Sequence, residues 1–297
     1  MAEATRPVPT SPEAFDAAAL AAEHGLRRIG IRPPLGDYLR RMWGRRHFVI
    51  ELARAREQSE SAGSRLGRLW AVLNPLLNVL VYWIVFGVLL KVNRSVPDYL
   101  SFLVIGVFVF TFTQSSAMSG SRAITHNMNL VRALHFPRAI LPLAAVLEEL
   151  FPLFTALVIC AAVVLLQGEG LSWMWLLLPV VIALQTLFNY GLALGLARVT
   201  ESVRDVSMLL PFLLRTWLYL SGVVFPVQQF ADEHGGVIGF LLRANPGAVY
   251  VELARDALLT TYEAPPGTWL WAIFWAVGGV LAGFVYFWRA EARYGRG

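Results

Sequence analysis

The sequence predicts an all-α integral membrane protein with six transmembrane helices, and three observations carry that expectation. Of its residues, 57% are hydrophobic and only 15% charged, with a mean hydropathy of +0.56, far from the balance of a soluble domain. Six apolar runs are each long enough to cross a hydrocarbon core of ~30 Å at ~1.5 Å per residue. The segments between those runs differ sharply in basic residues.

Residues 1–35 are polar and rich in Ala and Pro, without the apolar core of a secretory signal, and are expected to be a mobile cytoplasmic tail. Residues 36–68 are expected to hold an amphipathic interfacial helix, best developed from Asp37 to Glu60. Leu39, Met42, Trp43, Val49, Ile50 and Ala53 lean to one side of it, with Arg40, Arg41, Arg45 and Glu51 on the other and Arg46 interrupting the apolar stripe. Such a face suits anionic lipid or a docking partner, and the two roles are compatible.

The transmembrane domain is expected over residues 69–290, followed by a short cytoplasmic tail at 291–297. Leu69–Leu90 carries no charge, and Pro75 sits in its first turns, where a missing amide donor costs least. Tyr99–Met118, Trp173–Ala197 and Trp269–Trp288 are also uncharged. Ile140–Leu166 is interrupted by Glu148 and Glu149, and Val206–Phe225 by Arg215. Trp173, Trp175, Trp269 and Trp271 mark the outer ends of spans, with Trp70 and Trp288 at the inner ends. The single cysteine, Cys160, reads as a small buried hydrophobe.

Two connecting segments have patterns of their own. Between Gly120 and Pro137, Ile124, Met128 and Val131 recur at helical spacing, so a short amphipathic helix is expected that must bury its face in lipid or a protein cleft. Between Pro226 and Thr268, Val237–Leu242 and Ala248–Leu259 are too short to cross, and Asn245-Pro246-Gly247 separates them as a turn and helix start. Re-entrant or interfacial helices are the expectation there.

An even span count puts both termini on one side. With the N-terminus inside, the inner segments hold 20 of the 25 Lys and Arg, as the positive-inside rule expects. The pI near 9.6 follows from this topology and implies no nucleic acid.

Glu148, Glu149 and Arg215 are the exceptional intramembrane charges, since such groups face protein or water. They lie at similar depth in the third and fifth spans, so Arg215 is expected to pair with one glutamate. Such a pair would either hold the spans together or meet substrate. Phe108 and Phe112 share one helix face in the second span, and Trp217, Tyr219 and Phe225 lie on the fifth. The five histidines show no metal-ligand spacing, so no metal site is expected. A phosphate-binding loop needs a lysine after glycine, and the only lysine is Lys91, beside Leu90 and Val92. No catalytic residues are expected, and energy for any pumping must come from a partner, or the protein is not a pump.

The basic helix, Gly67-x-Leu69-Trp70 with Pro75, the stretch Phe136-Pro137-Arg138-Ala139-Ile140-Leu141-Pro142, Arg204-Asp205-Val206, Ser221-Gly222-Val223-Val224-Phe225-Pro226 and Asn245-Pro246 occur in order over residues 36–290. This set resembles the permease subunits of polysaccharide ABC exporters of the ABC-2 family, which move O-antigen, teichoic acid or galactan. The resemblance implies a homodimer with two copies of an ATPase subunit, which binds the ATP and Mg. It implies that a polysaccharide on a polyprenyl diphosphate lipid passes outward between the copies. The first and fifth spans would flank that path, making Trp70, Pro75, Arg215, Tyr219, Phe225 and Pro226 its candidate lining and gate. Ile124, Asn127, Met128, Asn129, Val131 and Arg132 would be the helix that docks the ATPase. Arg in place of Lys and the Ala-rich tail resemble a high-GC actinobacterial chain, which would make cell-wall galactan the cargo. A drug or lipid efflux permease of the same fold is the nearest rival. A membrane glycosyl or phosphoglycosyl transferase would want clustered Asp or His on an inner loop, which is missing.

Overall fold

A computed structural model describes residues 34–62, 69–89, 98–134, 136–291 and 294, and every regular element among them is helical. Most of the expected N-terminal tail, residues 63–68 of the interfacial segment, Lys91 and most of the C-terminal tail lie outside the described residues.

The interfacial segment forms two helices, α1 (Leu35–Gly44) and α2 (Arg46–Ala62), where one was expected. Gly44, a poor helix former, ends the first. The break divides the apolar stripe. Tyr38, Val49 and Ala53 are buried against the protein, whereas Leu39, Trp43 and Ile50 are exposed, with the Arg46 guanidinium 5.7 Å from the Trp43 ring. The uncovered side is thus apolar with basic neighbours.

The first expected span is α3 (Leu69–Tyr82), continued by a π-helical stretch at Trp83–Leu89. The second, α4 (Tyr99–Ser121), is the hub of the bundle and almost wholly buried. A 3₁₀ turn at Thr125–Asn127 and α5 (Met128–Ala133) form the next connection. The third expected span is divided at Glu149 into α6 (Ile140–Glu148) and α7 (Leu150–Leu166). Pro152 accounts for the break, because it has no N–H to donate and its ring crowds the carbonyl of Glu148 four residues earlier. A 3₁₀ turn at Trp173–Leu177 leads into α8 (Leu178–Ser202), and α9 (Val206–Leu220) follows. Three further helices, α10 (Val227–His234), α11 (Gly236–Arg243) and α12 (Pro246–Leu258), precede the last, α13 (Thr268–Trp288).

Four stretches are long and apolar enough to cross a membrane: Tyr99–Ser121, Ile140–Leu166, Trp173–Ser202 and Thr268–Trp288. The first and fifth expected spans contain shorter apolar helices, Leu76–Leu89 and Val206–Leu220. The fifth is short because the chain turns at Gly222, whose φ of +65° favours glycine.

Helices α8 and α13 pack so closely that a Cβ on Gly283 would lie 2.1 Å from the carbonyl oxygen of Gly191. Small residues at such a crossing let two backbones touch where no hydrophobic force separates helix from lipid. A polar seam joins α4 to α8. The Gln185 amide donates to the Val109 carbonyl at 2.8 Å and to the Thr113 hydroxyl at 2.9 Å, and Asn189 donates to Ser116 at 3.4 Å.

The stretch Ala248–Leu259, expected as a re-entrant or interfacial helix, is occupied by α12. α12 is a core element, in which both Glu252 and Arg255 are buried. Its charges are matched inside the protein, so they do not require water.

Candidate functional site

Two regions collect the residues that the sequence singles out. One is the end of the bundle that carries α1, α2 and the α4–α6 connection. Here α2, the end of α4, the following turn and the end of α6 enclose a cleft of about 310 Å³ lined by Arg56, Ser119, Arg122, His126, Asn127 and Glu148, among others.

The expected pairing of Arg215 with a glutamate is not formed. Glu148 faces Arg56 at 3.8 Å, and Glu149 accepts a hydrogen bond from Ser119 at 2.6 Å. Both glutamates lie at the helix break, which belongs to the cleft end of the apolar stretch Ile140–Leu166. That stretch has 27 residues, about 40 Å of helix against a ~30 Å core, so its first turns can lie beyond the hydrocarbon.

The apolar face of the short connection is covered by the chain itself. Ile124 is fully buried and Val131 is 5% exposed, in one cluster with Tyr38, Val49, Phe136 and Ile140. Met128 is half-buried against the same cluster. The Asn127 amide donates to the Ala123 carbonyl at 2.7 Å. Of the six candidate docking residues, Asn129 and Arg132 are the exposed ones.

This connection is tied to both ends of the chain. Glu291, just past α13, accepts from the Arg138 backbone N–H at 3.0 Å and from the Tyr38 hydroxyl at 2.9 Å. The Ala139 N–H donates to the Tyr38 oxygen at 3.0 Å. Burial pushes the Glu291 carboxyl above its ordinary value, although the bonds from Arg138 and Tyr38 work in the other direction.

The second region is the opposite end of α9. Arg215 and Tyr219 are one helical turn apart and exposed, on an open face shared with Met208, Leu209, Phe212 and Leu220. Tyr219 meets Tyr82 edge to face at 6.4 Å, bringing the first and fifth expected spans together. Phe225 and Pro226 are half-buried, and the Phe225 ring lies 6.2 Å from Phe230. Trp70 is exposed at the other end of α3, so the structure does not join it to Tyr219. The Pro75 side chain lies outside the described residues. Phe108 and Phe112 are 2% and 3% exposed, packed in the core, and present no open ring face. The Trp217 indole is turned inward, donating to Asn245 Oδ1 at 2.7 Å.

Sequence reasoning missed how the turn after α9 is held. A helix C-terminus leaves its last carbonyls without internal partners, and here side chains supply the donors. Asn245 Nδ2 donates to the Leu220 carbonyl at 2.9 Å. The Arg255 guanidinium donates to Gly222 and Val223, each at 2.9 Å, and the Tyr99 hydroxyl donates to Val224 at 3.0 Å. Glu252 lies 3.5 Å from Arg255 and accepts from Gln228 at 2.8 Å and from Tyr262. The only signal in the sequence was a Glu and an Arg three residues apart on a helix, a pattern shared with many solvated faces.

The chain is 27% identical over 226 residues to the O-antigen export system permease protein RfbA of Myxococcus xanthus, covering 76% of this chain and 82% of that one. It is 24% identical over 198 residues to the protein of the same name from Klebsiella pneumoniae, covering 66% and 74% respectively. Against the polysialic acid transport protein KpsM of Escherichia coli it is 25% identical over 201 residues, covering 67% and 76%. Residues 52–259 match the family described as ABC-2 type transporter, and the chain belongs to that family.

Proposed function

We propose that this chain is the permease subunit of an ATP-driven exporter that carries a polyprenyl-diphosphate-linked polysaccharide, a cell-wall galactan or an O-antigen, to the outer face of the plasma membrane. Six spans leave both termini in the cytoplasm. Two copies of the chain form the channel, and two copies of an ATPase subunit bind the ATP and Mg and dock beside Asn129 and Arg132. The chain moves substrate and makes or breaks no bond.

The observation that carries this reading is the exposed Arg215 on an otherwise apolar helix face, beside the Tyr82–Tyr219 contact. A charge within a span is too costly to face lipid tails. A water-filled path between two copies gives it a partner, and puts the first and fifth spans on that path. The names of the relatives, two O-antigen export permeases and a polysialic acid transport protein, support a polysaccharide as the cargo.

Depleting the protein in its host, while following radiolabelled lipid-linked glycan on each side of the membrane, tests the assignment. Export predicts full-length polymer accumulating on the cytoplasmic lipid with less in the wall. Unchanged polymer would transfer the assignment to drug or lipid efflux, and lost synthesis would favour a transferase.

A further inference from the structure

The Arg255 side chain is fully buried, and its surroundings account for its shape as well as its charge. Two of its nitrogens donate to the carbonyls of Gly222 and Val223, and Nε donates to the Phe102 carbonyl at 3.2 Å. The guanidinium carbon lies 3.3 Å from the centre of the Phe102 ring. A planar fork can meet these groups at once, whereas a lysine ammonium offers one point of charge on a flexible stem. Room for the fork comes from Gly106 of α4, where a Cβ would lie 2.5 Å from Arg255 Nη2 and 3.0 Å from the Val223 carbonyl oxygen. A buried charge is costly unless paired, and Glu252 supplies the counter-charge at 3.5 Å. Glu252 is in turn held by Gln228 of α10 and by Tyr262.

The joined elements are α4, α12, α10 and the turn that follows α9. Consecutive carbonyls of that turn, Gly222 to Val224, are all occupied by side chains, and Phe225 and Pro226 follow directly. The favourable interaction of a cation with the carbonyl end of α9 acts in the same direction.

We infer that Arg255 is a positioning residue that pins the Gly222–Val224 turn to α4 and α12, so that Phe225 and Pro226 move with α12 as one body. Its importance for transport rests on the reading above that this turn borders the export path. The attachment itself does not.

The test places a cysteine at Val223, which is fully buried, and measures its maleimide labelling in the full-length protein with the Arg255→Lys change. Cys160, also fully buried but far from the clamp in sequence, is the internal control. Loss of charge-assisted hydrogen bonds should raise labelling at position 223 by about tenfold or more, while Cys160 stays protected. A general loss of folding would label both. In that event Tyr99→Phe, which removes only the bond to Val224, serves as the milder variant and should raise labelling at position 223 alone. Unchanged labelling at position 223 in a folded variant overturns the clamp.

Dye efflux from proteoliposomes holding the same variant with its ATPase, without nucleotide, separates the two ideas. Labelling with leak supports the clamp at the path. Labelling without leak leaves the clamp standing and removes the turn from the path.

Discussion

The Tyr38 hydroxyl donates to the Glu291 carboxylate at 2.9 Å, across 253 positions of sequence. This contact ties α1 to the end of the last helix, and Arg138 joins both to the start of α6. Tyr38→Phe should therefore loosen the N-terminal helices. Losing the buried bond, and leaving the Ala139 N–H without its acceptor, should cost about 1–3 kcal/mol. A lower Tm in detergent, with α8 and α13 still packed, would be the expected result.

The same carboxyl sets a dependence on pH. Burial holds Glu291 above its ordinary value of 4.5, so folding favours its protonated form. Its contribution is full below that value and falls as pH climbs through the raised one. Thermal unfolding from pH 4.5 upwards should show wild type losing stability that Glu291→Gln retains. Parallel curves would contradict this.

Glu169 should behave in the opposite sense. Burial pushes its carboxyl up, but bonds from the Thr260 hydroxyl, the Thr260 N–H and the Thr261 hydroxyl outweigh this and hold it below the ordinary 4.5. Its contribution is present above 4.5 and is lost as pH falls through the lowered value. Glu169→Gln should remove about 1–3 kcal/mol at neutral pH, with the gap to wild type closing in acid.

Arg215 should separate folding from passage. It is exposed on α9 and is not paired with Glu148 or Glu149. Arg215→Ala should accumulate as folded protein, within about 0.5 kcal/mol of wild type, yet export should fall on the order of tenfold. Arg215→Lys should keep part of the activity. A loss of folded yield in Arg215→Ala would instead indicate a structural charge.

Cysteine scanning tests whether the short connection meets the proposed ATPase. Asn129→Cys should cross-link to it, because position 129 is exposed. Val131→Cys should not, since that site is 5% exposed within the chain. Cys160 is fully buried and gives no background. Cross-linking at 131 without reaction at 129 would reverse the docking face.

What the sequence determined by itself is what depends on local composition. Uninterrupted apolar length specified the helices at Tyr99–Ser121 and Thr268–Trp288 nearly to the residue. Asn245-Pro246-Gly247 announced a helix start, because an Asn side chain can accept from an N–H two residues on, as it does from Gly247 at 3.0 Å. Charges were harder to read, because the energy of a charge depends on what lies opposite it in space. Arg255 and Glu252 had the pattern of a solvated helix face and became the most buried charges between α9 and α13. Arg215 and Glu148, matched in depth by counting residues, face different surroundings, Glu148 meeting Arg56 while Arg215 lies on the exposed face of α9. Only the tertiary structure decided these partners, since carbonyls, carboxylates and ring faces from distant segments had first to be brought within hydrogen-bonding reach.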